Sequence, residues 1–435
     1  MSYILTMENI SNLRRRFQQL RFSANILTNC RNNNLVFLVW HSLRKTGLVM
    51  SLDNGGVHWM ANVAMASFLV TTVMQIIDLF LSINDPDRLF ECFSILSFCG
   101  LGVIKLLSLR YDGDQWRNLL KEASKLEKEE LNNENLSPLD YESDNEDEYS
   151  VSKYYVERYT KAFNATFKLL TRIYLFTEFV YITSPFIEYA LFKYKNPEIV
   201  YYPHILPLWT PLDDVVFGYI LTILLELISA AYCVSVHVAF DLSAVGLMMF
   251  IRGQFCLLHA KSERIGGKGK KYNLSKTRDL RAHLRIKNCH RLHIVLVSLV
   301  KQLNKLTKNI LGIYFYLATI TLCLVAVQLQ SDLSTTQLMS LLQYMMATLT
   351  QLFLFCNYGD AVLNESTVGM GMSPQGSAWW CLSPRVRKEL LLLGIGMSRR
   401  YELYAGPFFS LSLPSFIQIV RTAYSFYAVL RQKSS

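Results

Sequence analysis

Toward the end of the chain, Ser415, Gln418, Thr422, Ser425 and Val429 follow one another at steps of three, four, three and four. Those steps put all five on one stripe of a helix. A file of hydroxyl and amide oxygens can replace part of an ion's hydration shell without holding the ion, and an apolar side chain at the end of the file can close a water column where the ring is narrow. The remaining faces of this segment, Leu413 to Leu430, carry Phe416, Ile417, Ile419, Val420, Ala423, Phe426 and Tyr427, which suit lipid or neighbouring apolar helices. Two arrangements therefore fit the spacing: a helix lining a wet pore, and ordinary packing of membrane helices through small and polar residues, which is the commoner of the two. Arg421 lies beside the stripe and would oppose cations if it faced a pore axis. It is expected to point to a neighbouring helix or into a wider inner vestibule.

The elements that would position this helix are legible in composition. Of 435 residues, 51% are hydrophobic and 13% aromatic, while only 18% are charged, so the chain reads as an all-α polytopic membrane protein. A net charge of +10 would suit nucleic acid or anionic lipid, but Lys and Arg gather between apolar spans, which is how a membrane protein sets its orientation. Nucleic acid is not an expected partner. The nine cysteines form no CxxC pair and none falls in a segment placed outside the cell, which argues against a disulfide framework or a zinc site. His290 and His293 stand among Arg285, Lys287 and Arg291 and read as a solvated basic face. No nucleophile, metal or phosphate-binding constellation stands out, so neither an enzyme nor a cofactor is expected.

Taken in order, residues 1–57 form a basic segment whose Arg14, Arg15 and Arg16 are not followed by an apolar core and a cleavage site, so a cytoplasmic N-terminus is expected. The first span covers His58 to Leu81 and the second Leu89 to Leu109. A long polar connection, Arg110 to Lys161, contains an acidic stretch from Glu127 to Tyr149 that reads as a mobile insert. The third span is Phe167 to Phe192. Aromatic and proline residues from Tyr201 to Pro211 then fit a membrane interface and a roof over the outer side. The fourth span starts near Val215, and its helical pattern runs past Asp241 to Leu258. The basic connection Arg264 to Arg291 leads into a fifth helix that starts in the cytosol, with Lys301, Lys305 and Lys308 before the apolar part Ile310 to Val327. A sixth span, Thr336 to Cys356, a short helix, Val386 to Met397, and the terminal helix complete seven spans. The sequons at Asn9, Asn135, Asn164, Asn273 and Asn364 all fall on the cytoplasmic side or at its edge, so none is expected to carry a glycan.

The run Leu403, Ala405-Gly406, Phe409, Ser410-Leu411-Ser412-Leu413, Phe416, Ala423-Tyr424-Ser425-Phe426 and Val429-Leu430 resembles the C-terminal signature of insect odorant receptors. The resemblance implies seven transmembrane helices, a cytoplasmic N-terminus, and helices that extend into a cytoplasmic anchor. It further implies a tetrameric, ligand-gated, non-selective cation channel in the plasma membrane of sensory neurons, surrounded by membrane lipid. In such a channel the last helix lines the pore, so Gln418, Thr422 and Ser425 become its wall and Val429 its constriction. The partners implied are a small volatile odorant and a coreceptor in a heterotetramer, or copies of the chain in a homotetramer. The same resemblance implies a ligand pocket in the outer half, among spans two, three, four and six. The residues placed to line it are Phe90, Phe93 and Ser97, then Thr177, Tyr181 and Ser184, then Phe217, Ile220 and Leu224, and Tyr344. The implied division is a cytoplasmic segment at 1–57, a ligand-sensing bundle of spans one to five at 58–330, and 331–435 with span six, the anchor helix and the pore helix.

A chemoreceptor that signals through a partner protein without its own pore is the alternative. Against a G-protein-coupled receptor stand the absence of Asp-Arg-Tyr after span three and of Asn-Pro-x-x-Tyr in the last span. A gustatory receptor would end differently from Thr422-Ala423-Tyr424-Ser425 and Leu430-Arg431-Gln432. The connection Arg264 to Arg291 is shorter than the coreceptor's, which favours a ligand-tuned subunit.

Overall fold

The computed structural model describes residues 35–36, 39, 55–131, 144–195, 202–210, 216–267, 275–329 and 335–434. Its helices in chain order are α1 (Gly55–Leu81), α2 (Pro86–Tyr111), α3 (Gly113–Leu131), α4 (Asp144–Lys195), α5 (Val216–Ser262), α6 (Lys276–Gln328), α7 (Thr335–Thr367), α8 (Pro384–Met397) and α9 (Leu413–Ser434). Between α8 and α9 a small antiparallel pair, β1 (Tyr404–Ala405) and β2 (Phe409–Ser410), aligns Tyr404 with Ser410 and Ala405 with Phe409. The sequons at Asn9, Asn135 and Asn273 and the basic residues Arg44 and Lys268 lie outside the described residues.

α5 and α6 have 47 and 53 residues. At about 1.5 Å per residue they run roughly 70 and 80 Å, against a hydrocarbon layer of about 30 Å. Both therefore project well beyond a bilayer, as the continuing helical pattern predicts. All ten residues of α5 from Asp241 to Phe250 are buried, and a helix buried on every side is the axis of its bundle. α1, α2, α4, α6 and α7 pack around it, and α9 lies against α6 and α7. Large apolar side chains nevertheless face outward, among them Trp59, Val73 and Phe80 on α1, Phe176 and Phe179 on α4, and Phe217 on α5. So broad an apolar exterior fits lipid rather than water.

Among the described residues five helices, α1, α2, α5, α6 and α7, are long and apolar enough to cross a membrane. α4 and α9 complete seven. Their apolar runs are diluted, in α4 by Thr177, Glu178, Thr183, Ser184 and Glu188, and in α9 by Gln418, Arg421, Thr422 and Ser425. Polar residues in a spanning helix face the bundle interior or a wet cavity, and α4 lends Thr177 and Glu178 to the wall of a cavity.

Of the acidic stretch from Glu127 to Tyr149 expected to be a mobile insert, residues 132–143 lie outside the described residues, whereas Glu127 to Leu131 close the helix α3. α3 is amphipathic, and it buries Trp116, Leu119, Leu120, Ala123 and Leu126. Its periodic apolar face is what the acidic composition of the stretch conceals. Glu127, placed in that insert by composition, is 2% exposed. The Tyr159 hydroxyl donates to its Oε1 at 2.8 Å, and the backbone N–H groups of Leu35 and Val36 donate to the same carboxyl. Burial pushes Glu127 up from 4.5 to about 7, outweighing those hydrogen bonds.

A carboxyl with a raised value folds more easily when neutral. The stability this confers is complete below pH 4.5 and is lost as the pH rises through about 7, by up to ~3 kcal/mol. Hydrogen-exchange protection of α3, corrected for intrinsic rates, is therefore expected to fall between pH 4.5 and about 7. Glu127→Gln should flatten the profile, and protection that grows with pH in the native chain would contradict the assignment.

Another expectation is corrected at His293, which is 6% exposed rather than solvated. Its ring lies 5.8 Å from that of Tyr401, in the segment after α8. The basic face is left to its neighbours, with His290 and Arg291 exposed.

Candidate ligand cavity and terminal helix

The segment 202–210 roofs the bundle, as its rings and prolines predict, and it is pinned by one carboxylate. Glu226 on α5 is fully buried. It accepts hydrogen bonds from the backbone N–H of Ile205 at 2.7 Å and of Leu206 at 3.3 Å, and its other oxygen lies 2.8 Å from Nδ1 of His204. Ile205, Leu206 and Leu208 are thereby pressed inward against Met74, Ile95, Ile182 and Ile223.

Beneath this roof is a cavity of about 100 Å³, bounded by α2, α4, α5 and α7. Ile95, Phe98, Ile173 and Val234 make much of its wall apolar, and Tyr174, Thr177, Glu178 and Gln351 add polar atoms. For scale, an apolar cavity of about 150 Å³ holds a benzene molecule, so this one suits a small compact ligand.

The expected pocket residues are divided by the structure. Thr177, Tyr181 and Tyr344 line the cavity together, and the two tyrosine rings meet edge to face at 6.2 Å and 72°. Ser184 lies outside that lining and faces Ser340, with its Oγ 3.1 Å from the Ser340 Oγ. On α2 the lining comes from Ile95, Phe98 and Cys99, so the face bearing Phe90, Phe93 and Ser97 is turned away. The Ser97 hydroxyl donates to the Phe93 carbonyl at 2.7 Å.

Phe217, Ile220 and Leu224 do not reach the cavity either. They are 76%, 52% and 51% exposed on the outside of α5, which first meets the cavity at Ala230, Cys233 and Val234. The physical reason is that lipid and protein interior are equally apolar, so a stripe of aliphatic residues does not declare which of the two it faces.

Below the cavity lies a buried polar cluster that the sequence reading missed. Lys105 of α2 and Asp241 of α5 are buried at 0% and 1% exposure and pair at 2.6 Å from Nζ to Oδ1. The Tyr174 hydroxyl and the Gln351 amide both donate to Asp241 Oδ2, the latter at 2.7 Å. Lys105 Nζ also lies 3.0 Å from Nδ1 of His237, whose Nε2 is 3.1 Å from the Phe98 carbonyl oxygen. Four helices meet here, and Tyr174 and Gln351 belong at once to the cluster and to the cavity wall. The available signal was Lys105, a lone cation deep in an apolar span, since an ionisable residue inside the membrane demands a partner.

α7 leads from this site to the terminal helix. Past Tyr344 and Gln351, the Phe353 ring stands edge to face with Phe416 of α9 at 5.7 Å and 75°, and Gly359 lies against Leu411 just before α9 begins. β1 and β2 hold the entry to α9. Gly406 turns at φ +68°, its N–H donates to the Lys308 carbonyl at 2.7 Å, and it lies directly on Gly312 of α6.

Within α9, Ser415, Ile419 and Ala423 are buried, which assigns Ser415 to the packed face rather than to the polar stripe. Gln418, Ser425 and Val429 are exposed in the single chain, Val429 at 62%, and Thr422 is half-buried. Arg421 is exposed as well. The hydroxyls of Thr422 and Ser425 donate to the carbonyls of Gln418 and Arg421, at 2.8 and 2.9 Å. Their lone pairs are thus left for a ligand or ion outside the helix.

Comparison with known proteins follows this arrangement. The chain resembles the putative odorant receptor 85d of Drosophila melanogaster, with 22% identity over 381 residues, covering 86% of each chain. It resembles odorant receptor 22c of the same organism at 28% identity over 139 residues, which is 32% of this chain and 34% of that receptor. The strongest local matches thus span about a third of the relatives' length. The solved structure of the insect olfactory receptor OR5 from Machilis hrabei in complex with eugenol superposes with a TM-score of 0.72 over 91% of this chain and 97% of that one, at 13% identity. That likeness is one of fold. The model of the 7tm odorant receptor family matches residues 85–424, from the start of α2 well into α9, and on that match the chain belongs to the 7tm odorant receptor family.

Proposed function

We propose that the chain is a subunit of an odorant-gated, non-selective cation channel. A small volatile, largely apolar ligand occupies the cavity beneath the 202–210 roof, and its binding opens a pore lined by Gln418, Thr422 and Ser425, with Val429 as the constriction. Four subunits surround the axis, either copies of this chain or this chain with an odorant receptor coreceptor, in the plasma membrane of sensory neurons with the N-terminus in the cytosol. The long lower halves of α5 and α6, together with α8, serve as the anchor between subunits.

The observation that carries this reading is the course of α7, which contributes Tyr344 and Gln351 to the cavity and then Phe353 and Gly359 to the start of α9. A ligand that binds one position of α7 more tightly than another has a direct mechanical route to α9, and it shifts the equilibrium by that difference in affinity. The outward lone pairs of Thr422 and Ser425 suit hydrated cations. A small-molecule ligand is also in keeping with the eugenol complex of the solved relative.

Recording ligand-evoked current from the chain alone, and then with a coreceptor, tests the proposal. Tyr344→Ala is expected to shift ligand sensitivity about tenfold, the scale of one lost aromatic contact, while leaving ion selectivity unchanged. Unaltered sensitivity would remove Tyr344 from the site. Val429→Ser should raise the current in the absence of ligand. If the basal current is unchanged, Val429 is not the gate; if no variant of α9 alters conduction, the receptor signals without its own pore.

A further inference from the structure

The polarity of the cavity wall identifies the head group of its ligand. We propose that the cavity selects ligands carrying a hydrogen-bond donor, a hydroxyl or an amine, over the same skeleton ending in an acceptor alone. This rests on the cavity being the ligand site of the proposed function.

The argument starts from Asp241. A carboxylate only accepts, so whatever points at it must donate. The Tyr174 hydroxyl gives its proton to Oδ2, and Gln351 must turn its NH₂ toward the same oxygen, at 2.7 Å. The amide orientation is thereby set by chemistry, and the Gln351 carbonyl oxygen is directed away from Asp241. Lys105 pairs with the carboxylate at 2.6 Å from Oδ1 without itself lining the cavity.

The other wall groups follow the same rule. Thr348 donates to the Tyr344 carbonyl at 2.9 Å, and Thr177 donates to the Ile173 carbonyl at 2.8 Å while one of its two lone pairs accepts from the Gln343 amide at 3.1 Å. Glu178, also on the wall, has no ion-pair partner among the described residues and adds two more accepting oxygens. Tyr181 is the exception, a wall hydroxyl with no acceptor facing it among the described residues. The wall as a whole therefore offers many lone pairs and few protons. A ligand hydroxyl or amine satisfies those oxygens, whereas an ether of equal shape leaves them buried and unpaired.

The test uses the full receptor with its coreceptor and a set of small alcohols, each beside its methyl ether and its primary amine. 1-Propanol, its methyl ether and 1-propylamine form one such trio, small enough for a cavity of about 100 Å³. Binding is followed by ligand-induced thermal shift of the purified receptor and gating by current. Across the trios, an alcohol or an amine is expected to act at concentrations at least tenfold lower than its ether. Ethers that match or exceed their alcohols overturn the inference while leaving the cavity as the ligand site. If no compound binds, or if binding survives Tyr344→Ala unchanged, the site reading itself fails and the inference with it.

Two variants sharpen the result. Gln351→Leu removes one oriented acceptor and should compress the alcohol-to-ether ratio. Glu178→Gln adds a donor to the wall and should raise the potency of ethers relative to alcohols. The second variant leaves the Asp241 cluster intact, so it decides the matter if Gln351→Leu does not reach the cell surface. Ratios unchanged in Glu178→Gln overturn the inference.

Discussion

Lys105→Met is expected to destabilise the receptor by about 3–5 kcal/mol, the usual consequence of leaving one member of a buried ion pair without its partner. Lys105 and Asp241 are 0% and 1% exposed, and they meet at 2.6 Å in the centre of the bundle. The variant keeps the length of the side chain and loses only its charge. Asp241 would then be held by Tyr174 and Gln351 alone, which neutralise nothing. The comparison that isolates the pair is the double variant Lys105→Met with Asp241→Asn, where the asparagine carbonyl still accepts from Tyr174 and Gln351. Most of the lost stability should return in it. Thermal or chemical denaturation of the detergent-solubilised protein reads both. A Lys105→Met protein as stable as the native one would show that Asp241 has no need of this cation.

Gly359→Val is expected to separate binding from gating. A Cβ at Gly359 would stand 2.3 Å from the Cβ of Leu411 and 2.6 Å from its backbone oxygen, so the clash is with groups that cannot swing aside. α7 must then move away from the approach to α9, the contact through which the cavity reaches the terminal helix. Ligand-evoked current should fall at least tenfold, while the ligand-induced thermal shift persists, because the cavity-lining part of α7 ends at Gln351. Gly100→Ala is the control, since nothing lies within 4 Å of a Cβ added there. It should behave as the native chain. A Gly359→Val receptor that gates normally would mean that α7 and α9 do not work through this contact.

The helices were legible because each carries its own signal. Apolar runs of membrane length mark α1, α2 and α6, and the unbroken pattern past Asp241 announces that α5 outruns the bilayer. Where the expectation failed, a local signal was hidden by composition. Around Glu127 the many charges suggest a mobile insert, yet the apolar face from Trp116 to Leu126 packs α3 into the core. Thr177, Tyr181 and Tyr344, placed at a pocket by the family resemblance, do line the cavity. Phe217, Ile220 and Leu224, placed there by the same resemblance, are aliphatic or aromatic without a polar atom, and their face turned out to be the outer one.

What the sequence by itself determined is the number and reach of the spanning helices, the polar stripe of the last one, and, through the residues from Leu403 to Leu430, the family. These follow from hydropathy and short-range spacing, which are properties of one segment at a time. Only the tertiary structure decided which faces look inward and which distant residues meet. Lys105 and Asp241 are 136 positions apart and Gln351 is 110 from Asp241, so nothing local relates them. In water a helix shows its inner face by being apolar there, but in lipid both sides are apolar, and the inner face becomes visible only when other helices close around it.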